Sequence, residues 1–175
     1  MATARCAGPS SPTSSPRPDV PVAVLTAAAH RAGKRIGDTL VDDGWDVGLW
    51  SLAALRARVE HAKSRGRRAV AIRGNIADAR SVTLLQAETR AELGNVDAAV
   101  HLAADELALA DDGSDPATTA LVALGAIKVV YIGATAWDPS PALAWCAAHE
   151  VDAIYLDATR KVHDLTPTVA SFLAG

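Results

Sequence analysis

Val22-Ala23-Val24-Leu25-Thr26-Ala27-Ala28-Ala29-His30-Arg31-Ala32-Gly33-Lys34-Arg35-Ile36-Gly37 is the stretch on which the fold turns. A short apolar strand runs into a turn of small residues, and an amphipathic helix opens directly after it. Small side chains let backbone approach a pyrophosphate, and the free amides at a helix N-terminus face it. Working outward, strand and helix patterns alternate, which is the signature of a parallel sheet covered on both faces. Strands are expected near 20–26, 46–50, 68–73, 97–102 and 127–132. The helices between them end at Gly44, Gly66, Gly94 and Gly125, and Asp115-Pro116 reads as a helix N-cap and first turn.

Beyond residue 132 the pattern changes. Leu143, Ala147, Val151, Ile154, Ala158, Val162 and Leu165 recur at steps of three and four. That stripe predicts one unbroken helix over 140–165, terminated by Pro167, with a sixth strand over 168–173. The expected fold is therefore a three-layer Rossmann-like α/β domain over 20–175, with about six parallel strands and helices on both faces. Residues 1–19, rich in Ala, Ser and Pro, read as a flexible tail with no apolar segment of the secretory kind.

Composition narrows the function. Half the chain is apolar and only 4% is aromatic, a composition suited to close helix-on-sheet packing. A net charge of −3 argues against nonspecific nucleic-acid binding. The basic run Lys63, Arg65, Arg67, Arg68 lies at a predicted helix end, where cations complement the dipole. Two cysteines, Cys6 and Cys146, suggest neither a disulfide framework nor a zinc site, and no run reaches transmembrane length. A cytoplasmic location without membrane or nucleic-acid partners is expected.

The segment after Leu25 resembles the short-chain dehydrogenase/reductase family, whose loop reads Thr-Gly-x-x-x-Gly-x-Gly. The branch nearest pteridine reductases carries Arg at the second Gly, as Arg31 stands here. Ala27 replaces the first Gly. Asn75-Ile76 falls where the family has an Asp-apolar pair beside the adenine. His101-Leu102-Ala103-Ala104 falls where it has Asn-Asn-Ala, and Val129 to Ala134 resembles the strand that carries its catalytic Ser. The resemblance implies a nucleotide site built from Thr26, Ala27, His30, Arg31, Ala32, Gly33, Ser51, Asn75, Ile76 and Ala103. The end of strand two reads Leu49-Trp50-Ser51-Leu52, without the acid that NAD-preferring proteins use on the ribose. With Arg31 and Ser51 available to a 2′-phosphate, the implied cofactor is NADP.

Three departures concern the chemistry. Family enzymes have a Tyr-x-x-x-Lys pair on the long helix, the Lys lowering the pKa of the proton-handling Tyr. Here Thr135 and Thr159 stand four residues beyond Tyr131 and Tyr155. Trp145 and His149 have the right spacing, and His149 is the one candidate proton donor. Second, the Ser position has become Gly133 or Ala134. Third, about two dozen residues separate strands four and five, roughly half the family's usual length.

The leading expectation is thus a catalytically degenerate relative of the family, a pseudoenzyme that binds NADP. It would pair with a homologous subunit or with itself through helix 140–165, whose Trp145 and Leu156 would want cover. The alternative is an NAD(P)H-dependent reductase of a carbonyl or pterin-like small molecule. No histidine spacing suggests a metal site.

Overall fold

A computed structural model describes residues 20–103, 114–133, 138–159 and 161–175. The tail expected over 1–19 lies outside them, as do Ala134 and Thr135. Six strands form one parallel sheet: β1 (Val22–Leu25), β2 (Asp46–Ser51), β3 (Ala69–Arg73), β4 (Ala98–Ala103), β5 (Lys128–Gly133) and β6 (Asp152–Asp157). Their spatial order is β3-β2-β1-β4-β5-β6. Leu25 is in register with Leu49 of β2 on one side and Val100 of β4 on the other. The expected three-layer Rossmann-like fold is what the chain adopts.

Right-handed crossovers place helices α1 (Arg31–Asp42) and α2 (Arg56–Ser64) on one face, where α6 (Val162–Ala174) packs beside α1. Helices α3 (Ala79–Glu92), α4 (Pro116–Ala123) and α5 (Ser140–Ala148) cover the other. The period-two alternation of a strand divides the core accordingly. Ala23 and Leu25 pack with Ile36, Leu40 and Leu165, whereas Val22 and Val24 pack with Trp50, Leu85 and Leu121. Helix α1 buries Ala32, Gly33, Ile36, Gly37, Leu40 and Val41, which leaves Arg31, Lys34 and Arg35 outside. Trp50 is fully buried and its indole N–H donates to Thr89 Oγ1 at 2.8 Å. The basic run after α2 is held by acids and carbonyls. Arg68 Nε donates to buried Asp46 at 2.6 Å, Arg65 pairs with Asp42, and Arg67 bonds the Gly44 carbonyl.

The C-terminal third departs from expectation. The helix over 140–165 does not exist: α5 stops at Ala148, β6 extends the sheet, and α6 follows. Residues 168–173 are helical, and Pro167 sits inside α6 rather than ending a helix. The cause is the absence of punctuation. The four preceding helices each end at a glycine with positive φ, but after α5 that conformation is taken by Glu150 at φ 58°. Without Gly, the apolar positions of a helix, a buried strand and a second helix merge into one run of steps of three and four. Pro167 lies on the exposed side, while Leu165, Val169 and Leu173 recur every four residues on the buried side.

The partner surface assigned to helix 140–165 goes with it. Trp145 and Leu156 are already covered within the chain, 9% and 8% exposed. Among the described residues no helix is long and apolar enough to cross a membrane.

Candidate nucleotide site

In an open parallel sheet a ligand binds at the carboxyl edge where the strand order reverses. Here the reversal lies between β1 and β4, and the turn 26–30 leads from β1 into α1 at that edge. Ala27 takes φ 47° and accepts the amide of His30 at 2.8 Å, while the Ala28 amide donates to the Trp50 carbonyl at 3.1 Å. The first-glycine position thus keeps the left-handed conformation with a Cβ on it. Removing that Cβ relieves strain of about 1–2 kcal/mol, partly offset by the freer unfolded chain. Ala27→Gly is therefore expected to raise stability in urea melts by about 0.5–1 kcal/mol. No gain, or a loss, would mean that the turn is unstrained.

Gly33 answers for the close approach. A Cβ there would lie 3.0 Å from Ala28 Cα and 3.1 Å from the Ala27 carbonyl oxygen. His30 is the N-cap of α1, its Nδ1 accepting the Ala32 amide at 3.3 Å. The helix's own geometry leaves the Arg31 and Gly33 amides without an intrahelical acceptor.

A cavity of about 370 Å³ opens beside this turn, lined by Ala27, Ala29, His30, Ser51, Leu52, Gly74, Asn75 and Ile76. Five of the residues named from sequence meet there: Ala27, His30, Ser51, Asn75 and Ile76. Ser51 ends β2, nearly buried, and its Oγ accepts the Ala53 amide at 3.1 Å. Asn75 Oδ1 accepts the Ala77 amide at 3.1 Å, and its own amide donates to Ser81 Oγ at 2.8 Å. Among the described residues no carboxylate lines the cavity.

The other named residues stand elsewhere. Thr26 is fully buried and its hydroxyl is committed, accepting the Leu102 amide at 3.1 Å and lying 3.0 Å from His101 Nδ1. It ties β1 to β4. Ala32 is buried in the first turn of α1, and Ala103 ends β4 in register with Gly133. Arg31 is exposed and lines a separate cleft on the outer side of α1. His149 lies at the opposite edge of the sheet, since the chain after α5 leads into the start of β6. It is the C-cap residue of α5, stacked on Trp145 at 4.0 Å with Nδ1 2.8 Å from the Trp145 carbonyl. The geometry gives it no access to the nucleotide cavity.

Three lining residues escaped the sequence reading: Ala29, Leu52 and Gly74. Leu52 is 65% exposed at the mouth, and its signal was its place directly after the strand-two terminus. Gly74 follows β3, where a Cβ would meet Ser81 Oγ at 2.7 Å.

Beneath the edge lies a buried polar cluster. His101 is fully buried, edge-on to Tyr131 at 5.8 Å, and its Nε2 has no partner among the described residues. Burial holds its pKa below the ordinary value, against a smaller opposing pull from Asp115. The Tyr131 hydroxyl donates to Thr118 Oγ1 at 3.0 Å and lies 3.5 Å from Cys146 Sγ. Burial pushes the phenol far above its usual range and raises the Cys146 thiol too. Tyr155, on β6, donates to the Gly133 carbonyl at 3.0 Å. Among the described residues no group of three or more metal-ligating side chains converges.

Comparison with known proteins places the fold. No family model matches the chain, and no curated protein sequence does. Solved structures match. One is a protein of Sinorhizobium meliloti 1021 assigned to the short-chain dehydrogenases/reductases, 17% identical over 91% of each chain, with a TM-score of 0.64. An alcohol dehydrogenase from the archaeon Thermococcus sibiricus, complexed with 5-hydroxy-NADP, is 15% identical over 90% of this chain and 92% of its own, with a TM-score of 0.67. A blue fluorescent protein from a metagenomic library, in complex with NADPH, is 24% identical over 66% of this chain, with a TM-score of 0.56. The chain spans 56% of that protein's length. At these identities the likeness is one of fold: the chain has the Rossmann fold seen in short-chain dehydrogenases/reductases.

Proposed function

We propose that the chain is a short-chain dehydrogenase/reductase relative of the pteridine-reductase-like kind that binds NADP and has lost the family's hydride-transfer machinery. The observation that carries the nucleotide part is the cavity between the β1 turn and the ends of β2 and β3. Five residues singled out for a nucleotide line it, with a glycine-tight turn on one wall. Ala27 and Gly33 would lie against the pyrophosphate, Ser51 near the adenosine ribose, and Asn75 and Ile76 beside the adenine. The end of β2 reads Trp50-Ser51-Leu52, and none of the described lining residues is a carboxylate. This supports NADP over NAD, because an acid there would hold the ribose diol and repel a 2′-phosphate. The two solved structures that carry NADPH or an NADP derivative support the same choice.

The loss of chemistry rests on the residues present. A bound nicotinamide supplies hydride, but the substrate also needs a proton from a positioned acid. Thr135 and Thr159 stand where a Lys would follow Tyr131 or Tyr155. Tyr131 is buried with its pKa driven upward, so its phenol is a structural donor. His149 is at the wrong edge of the sheet, which counts against the alternative of an active reductase. A non-catalytic role would be exercised beside a homologous subunit or a second copy, through a surface other than the one first expected. Cytoplasmic residence fits such a role.

Titrating NADPH against tryptophan fluorescence tests the reading. Saturable quenching is expected, with NADH binding about tenfold more weakly, the worth of one lost charge-assisted hydrogen bond from the Ser51 hydroxyl to the 2′-phosphate. NADPH oxidation should stay at background across a carbonyl and pterin panel. Absence of saturation removes the nucleotide reading; turnover removes the degenerate one.

A further inference from the structure

A cavity larger than the nucleotide site lies apart from it. It is a cleft of about 610 Å³ on the outer side of α1, walled by Arg31, Lys34, Arg35, Arg58, Lys161 and His163, with Asp38 the one acid among its described lining residues. We infer that this cleft is a second binding site, for a compact ligand carrying two or three linked phosphate groups.

The cations gather there for reasons of fold. Arg31, Lys34, Arg35 and Asp38 follow one another at steps of three, one and three along α1, on the side away from the sheet. Helices α2 and α6 flank α1 and bring Arg58 and Lys161 to its two sides. All three helices begin at the carboxyl edge of a parallel sheet, so their positive dipole ends point the same way. The first turns of α1 and α2 hold no acid, and the Asp164 of α6 is 2.8 Å from His163. Asp38 is taken by Arg58. Arg31, Lys34, Arg35 and Lys161 have no carboxylate within ion-pair distance among the described residues. Such charges repel one another and gain most from a dense anion.

The class of ligand follows from size and charge. The volume is that of a small-molecule site, about 300–1,000 Å³. Arginine forks and lysine point charges together suit phosphate oxygens better than an apolar or neutral ligand. A long polyanion is disfavoured. The whole chain is at −3, so the surface beyond the cleft carries excess acid. Lys34, Arg35 and Lys161 do not line the 370 Å³ cavity, so the two sites are separable.

Calorimetric titration of the full chain with sodium tripolyphosphate, at about 0.15 M salt to screen loose surface attraction, tests the site. One saturable event per chain is expected, weakened at least about tenfold in Lys34→Gln/Arg35→Gln and again in Lys161→Gln. Gln keeps helix propensity at these exposed positions, so the variants should fold. NADPH titration of the double variant should match the parent, and its failure in the parent would leave this inference standing. No saturation, equal binding by the variants, or inorganic phosphate competing as well as tripolyphosphate would overturn the assignment. So would an oligonucleotide that binds more tightly per phosphate, which would mark a nucleic-acid surface instead.

Discussion

Gly33→Val is expected to lower stability by about 1–3 kcal/mol and to abolish saturable NADPH quenching, while Gly37→Ala one turn later does neither. The two glycines lie on the same buried side of α1, but they meet different things. At Gly33 the contacts are backbone: Ala28 Cα at 3.0 Å, the Ala27 oxygen at 3.1 Å and the Ala28 oxygen at 3.3 Å. Backbone atoms cannot rotate out of the way. The two further methyls of Val would lift the turn off the helix and reshape the wall of the nucleotide cavity. At Gly37 a Cβ would find Leu25 Cδ2 at 3.5 Å and Leu49 Cδ2 at 3.8 Å, ordinary contact with the sheet. Ala there should even stabilise, by up to about 1 kcal/mol from helix propensity. Urea melts read the stabilities and fluorescence titration reads the nucleotide. A Gly33→Val protein that binds NADPH like the parent would show that the turn does not shape the site.

Acidification is the second large lever. His101 is buried and its pKa is held below its ordinary value of 6.5 by desolvation, with Asp115 pulling more weakly in the other direction. The folded chain therefore keeps the imidazole neutral where the unfolded chain protonates it. Above about pH 6.5 neither state takes up the proton and the full stability is present. As pH falls below that value the unfolded state binds more protons, and stability drops by about 1.4 kcal/mol per unit until the folded pKa is reached. The groups around the ring do not rescue the cation. Thr26 occupies Nδ1, Nε2 has no acceptor among the described residues, and Tyr131 meets it edge-on. His101→Leu should flatten the slope between pH 6.5 and 5. It should cost little at pH 8, because a buried ring nitrogen with no partner among the described residues is removed while Thr26 keeps its bond from Leu102. An unchanged slope in His101→Leu would assign the acid response to other groups.

The first two thirds of the chain is legible from its residues because each element carries its own stop. Gly44, Gly66, Gly94 and Gly125 end four helices, and Asp115 caps α4 by accepting the Thr118 amide at 2.9 Å. The final third lacks such marks. Glu150 takes the left-handed turn without being glycine, and Lys161 begins α6 without a side-chain cap. A run of Ala, Val, Ile and Leu then satisfies the helical and buried-strand patterns alike.

The site divides in the same way. The loop from Thr26 to Gly33 and the pair Asn75-Ile76 announce themselves by position, since a strand end is where such a sheet binds. What each side chain does there is another matter. Thr26 turns out to be spent on His101 and Leu102, and Arg31 looks away from the cavity. The first fact depends on β4 lying against β1, about 75 residues apart in sequence, the second on how α1 packs beside α2 and α6.

Local order of residues was enough to settle a parallel α/β sheet with a small-residue turn opening its first helix, because period and punctuation are local properties. Which strand adjoins which, where Arg31 and Lys161 meet, and why His149 stands at the wrong edge were decided only by packing. Those are distances between segments remote along the chain, and no spacing within a segment encodes them.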